Sequence, residues 1–191
     1  VKAGTIQTTS ISWPGKVELM NNDDMNIRER ARKLLASEIE SREKVFKKYQ
    51  SALTMKGDTA KGRVAFQTVC GTCHQCEGQF GKSFGPDLGS IRNRDKASVM
   101  ADVLNPNRSI AVKYDLWIVT KKNGDKISGI IKSESSTAIT LNQLGGQHIN
   151  ISRSDINSME ISETSGMPEG LESSVSKEQM ADLLSFLTKK E

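Results

Sequence analysis

Cysteine and histidine are scarce in this chain of 191 residues, which contains three Cys and two His. The three Cys lie within seven positions, Cys70 to Cys76, and an odd number so close together cannot form a disulfide framework. With 15 Gly and 4 Pro, the chain also lacks the composition of collagen or of a disordered segment. The cysteine pattern therefore indicates chemistry at a single site.

A strong excess of charge and long apolar runs are lacking as well. The chain contains 27 Lys and Arg and 23 Asp and Glu. The resulting net charge of +4 is too small to indicate a nucleic-acid-binding protein. No window approaches 18 consecutive apolar residues, so no membrane span is predicted. The start, Val1 to Gly4, lacks the pattern of a signal peptide, and we interpret it as the start of a processed or excised form.

Apolar residues at spacings of three and four predict helices, and capping residues mark where they begin. Residues 1–22 are interpreted as a polar tail or linker. The charged face of the first helix is expected to be solvated, with a partner-docking surface as the alternative. Asp58 is expected to cap the second helix, and Ser176 with Gln179 forms a capping box for the last. The predicted helices cover residues 24–52 in one or two pieces, 58–70, 95–104 and 176–187.

Between Tyr114 and Ile161 the apolar period changes to two. Asn123-Gly124 separates two β-branched runs, which is a strong hairpin signal. A flat ribbon of this size could not bury its apolar face, so we predict a small antiparallel barrel or rolled sheet. The predicted strands are residues 114–120, 126–132, 138–142, 147–151 and 157–161.

The motif Cys70-Gly71-Thr72-Cys73-His74 is a C-x-x-C-H sequence, typical of covalent haem c attachment. Two thiols one helical turn apart form thioethers with the haem vinyl groups, and His74 becomes the proximal iron ligand. One alternative is a thioredoxin-like dithiol, but no βαβ pattern surrounds it. Another is a zinc site that also uses Cys76, although no second ligand pair is present. We otherwise expect Cys76 to be a covered free thiol.

A second axial ligand is expected for a low-spin haem. Met167 is the predicted distal ligand because it lies in an irregular loop, where Gly166 permits close approach and Pro168 stiffens the chain. Met180 and Met159 have the spacing of core residues, Met100 is ambiguous, and His148 is expected on a surface hairpin. The other candidates are Met20, Met25 and Met55.

In combination, these motifs resemble class I cytochrome c. The order of motifs over residues 45–191 is similar to the planctomycete-type haem-binding domain found at the C-terminus of large dehydrogenases of the quinone-dependent type. The resemblance implies a mainly α cytochrome c fold with the β segment inserted at about 110–162, α+β overall. It also implies a tail and helical extension at 1–52 before a cytochrome domain at 53–191.

The resemblance further implies individual roles. The carbonyl of Pro86 would accept a hydrogen bond from His74, and Gly85 and Phe66 would line the haem site. Gly62, Phe66 and Phe186 match the residues that pack the first helix of the family on the last one. Apart from the resemblance, Arg92 and Arg94, which follow the Gly-Pro loop, are candidates for contacts with the haem propionates.

The expected function is that of a monohaem c-type cytochrome domain that carries single electrons and is not itself an enzyme. The resemblance implies a dehydrogenase module as donor, a respiratory acceptor, and a location in the periplasm or otherwise outside the cytoplasmic membrane. Two alternatives stay open. In one, the β segment binds a partner and the haem acts as a sensor; in the other, the iron has an exchangeable sixth position and catalyses a reaction.

Overall fold

The chain folds as an α+β protein in a computed structural model that describes residues 11 and 13–188. Helices and strands are segregated, since the strands of the main sheet follow one another between the fourth and fifth helices. The helices are α1 (Trp13–Met20), α2 (Met25–Tyr49), α3 (Thr59–Ala65), α4 (Lys96–Leu104) and α5 (Lys177–Leu187). The strands are β1 (Gln75–Cys76), β2 (Phe80–Gly81), β3 (Leu116–Lys121), β4 (Lys126–Glu134), β5 (Ala138–Asn142), β6 (His148–Ser152) and β7 (Ile156–Ile161).

The helix starts follow the capping residues read from the sequence. Asp58 accepts hydrogen bonds from the backbone N–H groups of Ala60 and Lys61 at 2.8 and 3.2 Å. Ser176 and Gln179 form the predicted capping box at the start of α5. The first predicted helix is a single helix, α2. Part of the predicted tail is helical, as α1; residues 1–10 and 12 of that prediction lie outside the described residues.

Helices α3 and α5 cross closely, and a glycine at the crossing makes this approach possible. A Cβ atom at Gly62 would collide with the backbone carbonyl of Asp182 and lie 2.8 Å from Cβ of Phe186. One turn further on, the ring centroids of Phe66 and Phe186 are 5.6 Å apart. The side chain of Asp182 also accepts a hydrogen bond from the backbone N–H of Asp58 at 2.6 Å. The start of α3 is therefore tied to α5.

The β segment is an antiparallel sheet of five strands in the order β6-β5-β4-β3-β7. Val119, Ile139, Leu141 and Ile151 form its own buried cluster. Each predicted strand is present, with bounds shifted by no more than two residues. The side-chain amide of Asn142 donates to the carbonyl of Ser83 at 2.5 Å and so links the sheet to the loop after β2.

The predicted fold class is wrong in two respects. In the described residues, β6 and β7 are the two edges of the sheet and do not pair with each other, so the sheet is open and not a closed barrel. The structure also does not show a mainly α cytochrome c fold, because the sheet contributes a large part of the chain with a core of its own. No helix within the described residues is long and apolar enough to cross a membrane.

We expect Gly62→Ala to destabilise the protein by about 2 kcal/mol, since a methyl group at the crossing must push α3 and α5 apart. In an ordinary exposed helix position the same change would stabilise by roughly 0.5–1 kcal/mol. Urea unfolding measures the difference. Val64→Ala, at an exposed position of the same helix, is the control and should change stability by no more than about 0.5 kcal/mol. A Gly62→Ala variant as stable as the wild type would contradict the crossing geometry.

Candidate functional site

The C-x-x-C-H residues lie directly after α3, where the helix widens before it ends. Residues Phe66–Cys70 form a π-type turn, closed by a 2.7 Å hydrogen bond from the N–H of Gly71 to the carbonyl of Phe66. The N–H groups of Cys73 and His74 both donate to the carbonyl of Cys70, at 3.0 and 2.8 Å. This compact turn brings the two thiols and the imidazole to one end of α3.

His74 is held in one tautomer by a main-chain carbonyl. Its Nδ1 lies 2.8 Å from the carbonyl oxygen of Pro86, the contact that the resemblance implies. Because a carbonyl can only accept, Nδ1 carries the proton, and in the neutral ring Nε2 keeps its lone pair. Burial lowers the pKa of His74, and the hydrogen bond to Pro86 opposes this only in part. The ring is therefore a neutral base that could ligate a metal through Nε2.

Gly85 makes room for the imidazole. A Cβ atom at this position would overlap the His74 ring, with Nδ1 2.7 Å and Nε2 3.0 Å away. The N–H of Gly85 donates to the carbonyl of Cys73 at 2.7 Å, which keeps the backbone against the ring. A glycine is therefore required at position 85, and the ring is fixed by a backbone on one face and by Pro86 at one edge.

The loop that returns from His74 to Pro86 is organised by Asp87. Its carboxylate accepts from the backbone N–H groups of Glu77, Gly78 and Gly89 at 2.8, 2.7 and 2.7 Å. Glu77 has a positive φ of 57°, which is uncommon for a residue other than glycine, so the turn is not one that the backbone favours by itself. Burial acts to raise the pKa of Asp87, but these three donors outweigh it and the pKa is lowered.

A cavity of about 500 Å³ joins the predicted site residues; we call it the axial cavity. Cys70, Cys73, His74 and Met167 all line it, although Met167 is more than ninety residues away in sequence. Its volume is within the range of about 300–1,000 Å³ that is typical of ligand and cofactor sites. Most other lining residues are apolar: Val69, Leu88, Ile91, Val99, Val103, Leu144, Pro168, Leu171 and Leu187.

The thiols of the site differ from those of a redox-active dithiol. Burial, and secondarily the neighbouring Cys73, raises the pKa of Cys70 to about 12. A thioredoxin-like nucleophile has a lowered pKa, so Cys70 is not activated in that way. Cys76 is 2% exposed and packs in the helical core, where burial raises its pKa. It is covered, as expected, and does not line the axial cavity.

Among the candidate axial ligands, the structure brings only Met167 to the axial cavity within the described residues. Met180 and Met100 are buried in the helical core, and Met159 packs on the core of the sheet. His148 is exposed, with Nε2 2.7 Å from Nζ of Lys132. The remaining candidates, Met20, Met25 and Met55, do not line the cavity either.

A second cavity of about 470 Å³ shares Cys73, His74 and Met167 with the axial cavity and carries charged groups. Arg94 lines it and is paired with Asp102 at 2.6 Å. Arg92 does not line either cavity and pairs with Glu77 at 2.6 Å. Of the two arginines guessed for propionate contacts, only Arg94 is at the site.

The sheet contributes to the site in a way that sequence reasoning missed. Leu144 and Gly145, in the turn between β5 and β6, line the axial cavity, and Ile130 of β4 lines the second one. The exposed Leu144 in a Gly-Gly turn was a weak signal, since apolar residues are unusual at hairpin tips. The apolar faces of α4 and α5 could be predicted from helical periodicity. Periodicity does not show that both faces line the same cavity.

The residues present fit a haem c group better than a zinc ion. A cluster of three or more His, Cys, Asp and Glu side chains that could hold a metal ion does not occur in the described residues. A haem needs instead two thiols, one histidine, a distal donor and apolar walls, and the axial cavity has all of these. Phe66 packs behind the site, fully buried against Phe186, and does not line the cavity.

Compared with known proteins, the chain matches no family model and no curated protein.

We expect Asp87→Asn to lower the free energy of unfolding by about 1–2 kcal/mol at neutral pH. The three backbone donors use both carboxylate oxygens, and in the amide one of these oxygens is replaced by an NH2 group that cannot accept. The lowered pKa of Asp87 means that this stabilisation is present above the ordinary pKa near 3.8 and is lost as the pH falls through the folded value. Urea unfolding over a pH series measures it.

The difference between wild type and Asp87→Asn should therefore shrink in acid. Asp23→Asn, at an exposed position, is the matched control and should leave stability nearly unchanged at every pH. A difference that stays constant into strong acid would show that the charge of Asp87 is not what holds the loop.

Proposed function

We propose that the protein is a monohaem c-type electron-transfer domain. The observation that carries the proposal is the axial cavity, in which Cys70, Cys73, His74 and Met167 meet among apolar side chains. Thioethers to Cys70 and Cys73 would tether the haem, with His74 as proximal ligand and Met167 as distal ligand. The family resemblance of the sequence supports the same assignment.

The surroundings of His74 support its role as a ligand. The hydrogen bond to Pro86 orients the ring, fixes the tautomer and raises the basicity of Nε2. Because Gly85 has no side chain of its own, the imidazole is not displaced from this position. His74 is 9% exposed as a residue, so bulk water has little access to it.

A bound haem c would supply a one-electron iron couple. The role of this chain is to keep the site dry and to bias the couple through its ligands. A neutral imidazole and a thioether, together with apolar walls such as Leu88 and Leu187, favour the less charged, reduced state. The chain provides tethering, orientation and exclusion of water, and none of these steps requires an acid or base catalyst.

By the resemblance, electrons would arrive from a dehydrogenase module and leave to a respiratory acceptor, outside the cytoplasmic membrane. In the sensor alternative, the sheet binds a partner while the haem reports the redox state. Leu144 and Gly145 of the turn between β5 and β6 line the axial cavity, which supports a role of the sheet in forming the cavity.

We expect the wild-type protein to carry haem that stays with the denatured chain in acid acetone, because thioether bonds survive denaturation. A Cys70→Ala, Cys73→Ala double variant should lose it. Cys76→Ala is the matched control and should retain the haem, since Cys76 lies in the core outside the axial cavity. A colourless wild type containing zinc, lost with Cys76, would falsify the haem proposal.

We expect Met167→Ala to lower the reduction potential by on the order of 0.1 V, within the roughly 0.8 V range that axial ligands span. The sulfur-to-iron band of the oxidised protein should disappear. Potentiometry and visible spectra measure both effects. Met25→Ala is the control and should change neither the potential nor the band, since Met25 is exposed and does not line the axial cavity. If Met167→Ala leaves the spectrum unchanged, the sixth position has another ligand or is open, as an enzyme would require.

A further inference from the structure

The segment that carries Met167 has little regular structure of its own. Residues 165–172, which we call the Met167 loop, lie between β7 and α5 and include only the start of a short 3₁₀ turn, Leu171–Ser174. The N–H of Met167 donates to Oγ of Ser165 at 3.1 Å, but this bond is local and cannot fix the loop relative to His74. The position of the loop must therefore come from contacts with other parts of the chain.

One such contact comes from α2. The guanidinium of Arg42 lies 3.3 Å from a carboxylate oxygen of Glu169 and 3.6 Å from one of Glu172. It also donates to the carbonyl of Leu104, at the end of α4, at 3.2 Å. A single cation thus joins two acidic residues of the Met167 loop to two helices.

These charges are shielded from water, which makes them interdependent. The side chains of Arg42 and Glu169 are each 24% exposed, and that of Glu172 is 12% exposed. Oε2 of Glu172 is buried and has no hydrogen-bond partner in the part of the chain that the structure describes. Without Arg42, two partly buried carboxylates would lose the cation they share, which favours movement of the loop toward water or protonation of a carboxylate.

A second contact comes from the segment after α4. The side-chain amide of Asn107 donates to Oε1 of Glu169 at 2.6 Å and accepts from the N–H of Ser165 at 2.8 Å. Asn107 is 7% exposed, so these bonds are not in competition with water. Asn107 and Arg42 bind the two different oxygens of the same carboxylate, and Glu169 is two residues from Met167.

Helix α2 also holds the far end of the loop. The hydroxyl of Tyr49 lies 2.6 Å from the carbonyl oxygen of Glu172 and 2.8 Å from that of Val175. Tyr49 is buried, and Ala52, three residues later, is fully buried in the helical core. The last part of α2 is therefore packed against the end of the Met167 loop and the helical core.

We propose that Arg42 is a positioning residue that holds the Met167 loop for axial ligation, so that α2 is part of the haem site. This inference rests on the proposed haem function. It assigns no ligand role to Arg42, which acts through Glu169 and Glu172 on the backbone that carries Met167. Helix α2 would thereby help to set whether Met167 ligates the iron.

The experiment compares Arg42→Gln with Arg42→Lys in the haem-loaded protein. Amide hydrogen exchange of residues 165–172 reports the loop, and the sulfur-to-iron band of the oxidised protein reports ligation by Met167. We expect Arg42→Gln to accelerate exchange in the loop by about tenfold or more and to weaken the band. Arg42→Lys, which keeps the charge but not the forked geometry, should give intermediate values.

Arg153→Gln is the matched control. Arg153 also pairs with a carboxylate, that of Glu134 at 2.9 Å, and donates to a main-chain carbonyl, that of Ser135 at 2.7 Å, but on the sheet. It should change neither readout.

If Arg42→Gln does not fold, Glu169→Gln replaces it, because this variant keeps an acceptor for Asn107 while it removes one charge. Its effects on exchange and on the band should have the same direction as those of Arg42→Gln and be smaller.

A folded Arg42→Gln protein with wild-type exchange and a wild-type band would overturn the role of Arg42 and leave the haem function standing. A wild-type protein without covalent haem would overturn both proposals. Faster exchange in the loop with an unchanged band would also reject the inference, because the loop would then be held by Arg42 without any effect on ligation.

Discussion

The close crossing of α3 and α5 is the constraint on which the site depends. Helix α3 ends in the turn that presents Cys70 and His74, and α5 follows the Met167 loop. Because Gly62 lacks a side chain, the two helices touch through backbone and through Phe66 and Phe186. The crossing thus brings the end of α3 close to the Met167 loop before α5. The axial cavity lies between them and is lined by residues that are distant in sequence.

Around this crossing, backbone groups and buried polar groups fix the two candidate ligands differently. His74 is held by a carbonyl, a glycine and a loop organised by Asp87, all within fifteen residues. Met167 is held by charged and amide side chains from distant segments, among them Arg42. A local turn can keep its geometry while the rest of the chain fluctuates, whereas the Met167 loop depends on the packing of several elements.

The sequence was informative where interactions are local. Caps such as Asp58 and Ser176, the period of the helices and the Asn-Gly hairpin predicted most elements, because each depends on neighbours a few residues away. The prediction of a barrel was wrong because closure requires β6 to pair with β7, and no local sequence pattern determines that pairing. The motif at Cys70 identified the site. The sequence could not show that Leu144 lines it or that Arg42 pairs with the Met167 loop, because both contacts arise only through tertiary packing.

The walls of the axial cavity have a consequence for how the protein reaches its final state. They come from the end of α3, from α4, from a hairpin of the sheet and from α5, so almost all contacts across the cavity are long-range. Such contacts carry a high loop-closure entropy and form late in folding. The turn that carries Cys70 and Cys73 is local, so it can form before the pocket does. In the proposed haem domain, the haem would then be attached while the chain is still open, and no lid would have to move to admit it.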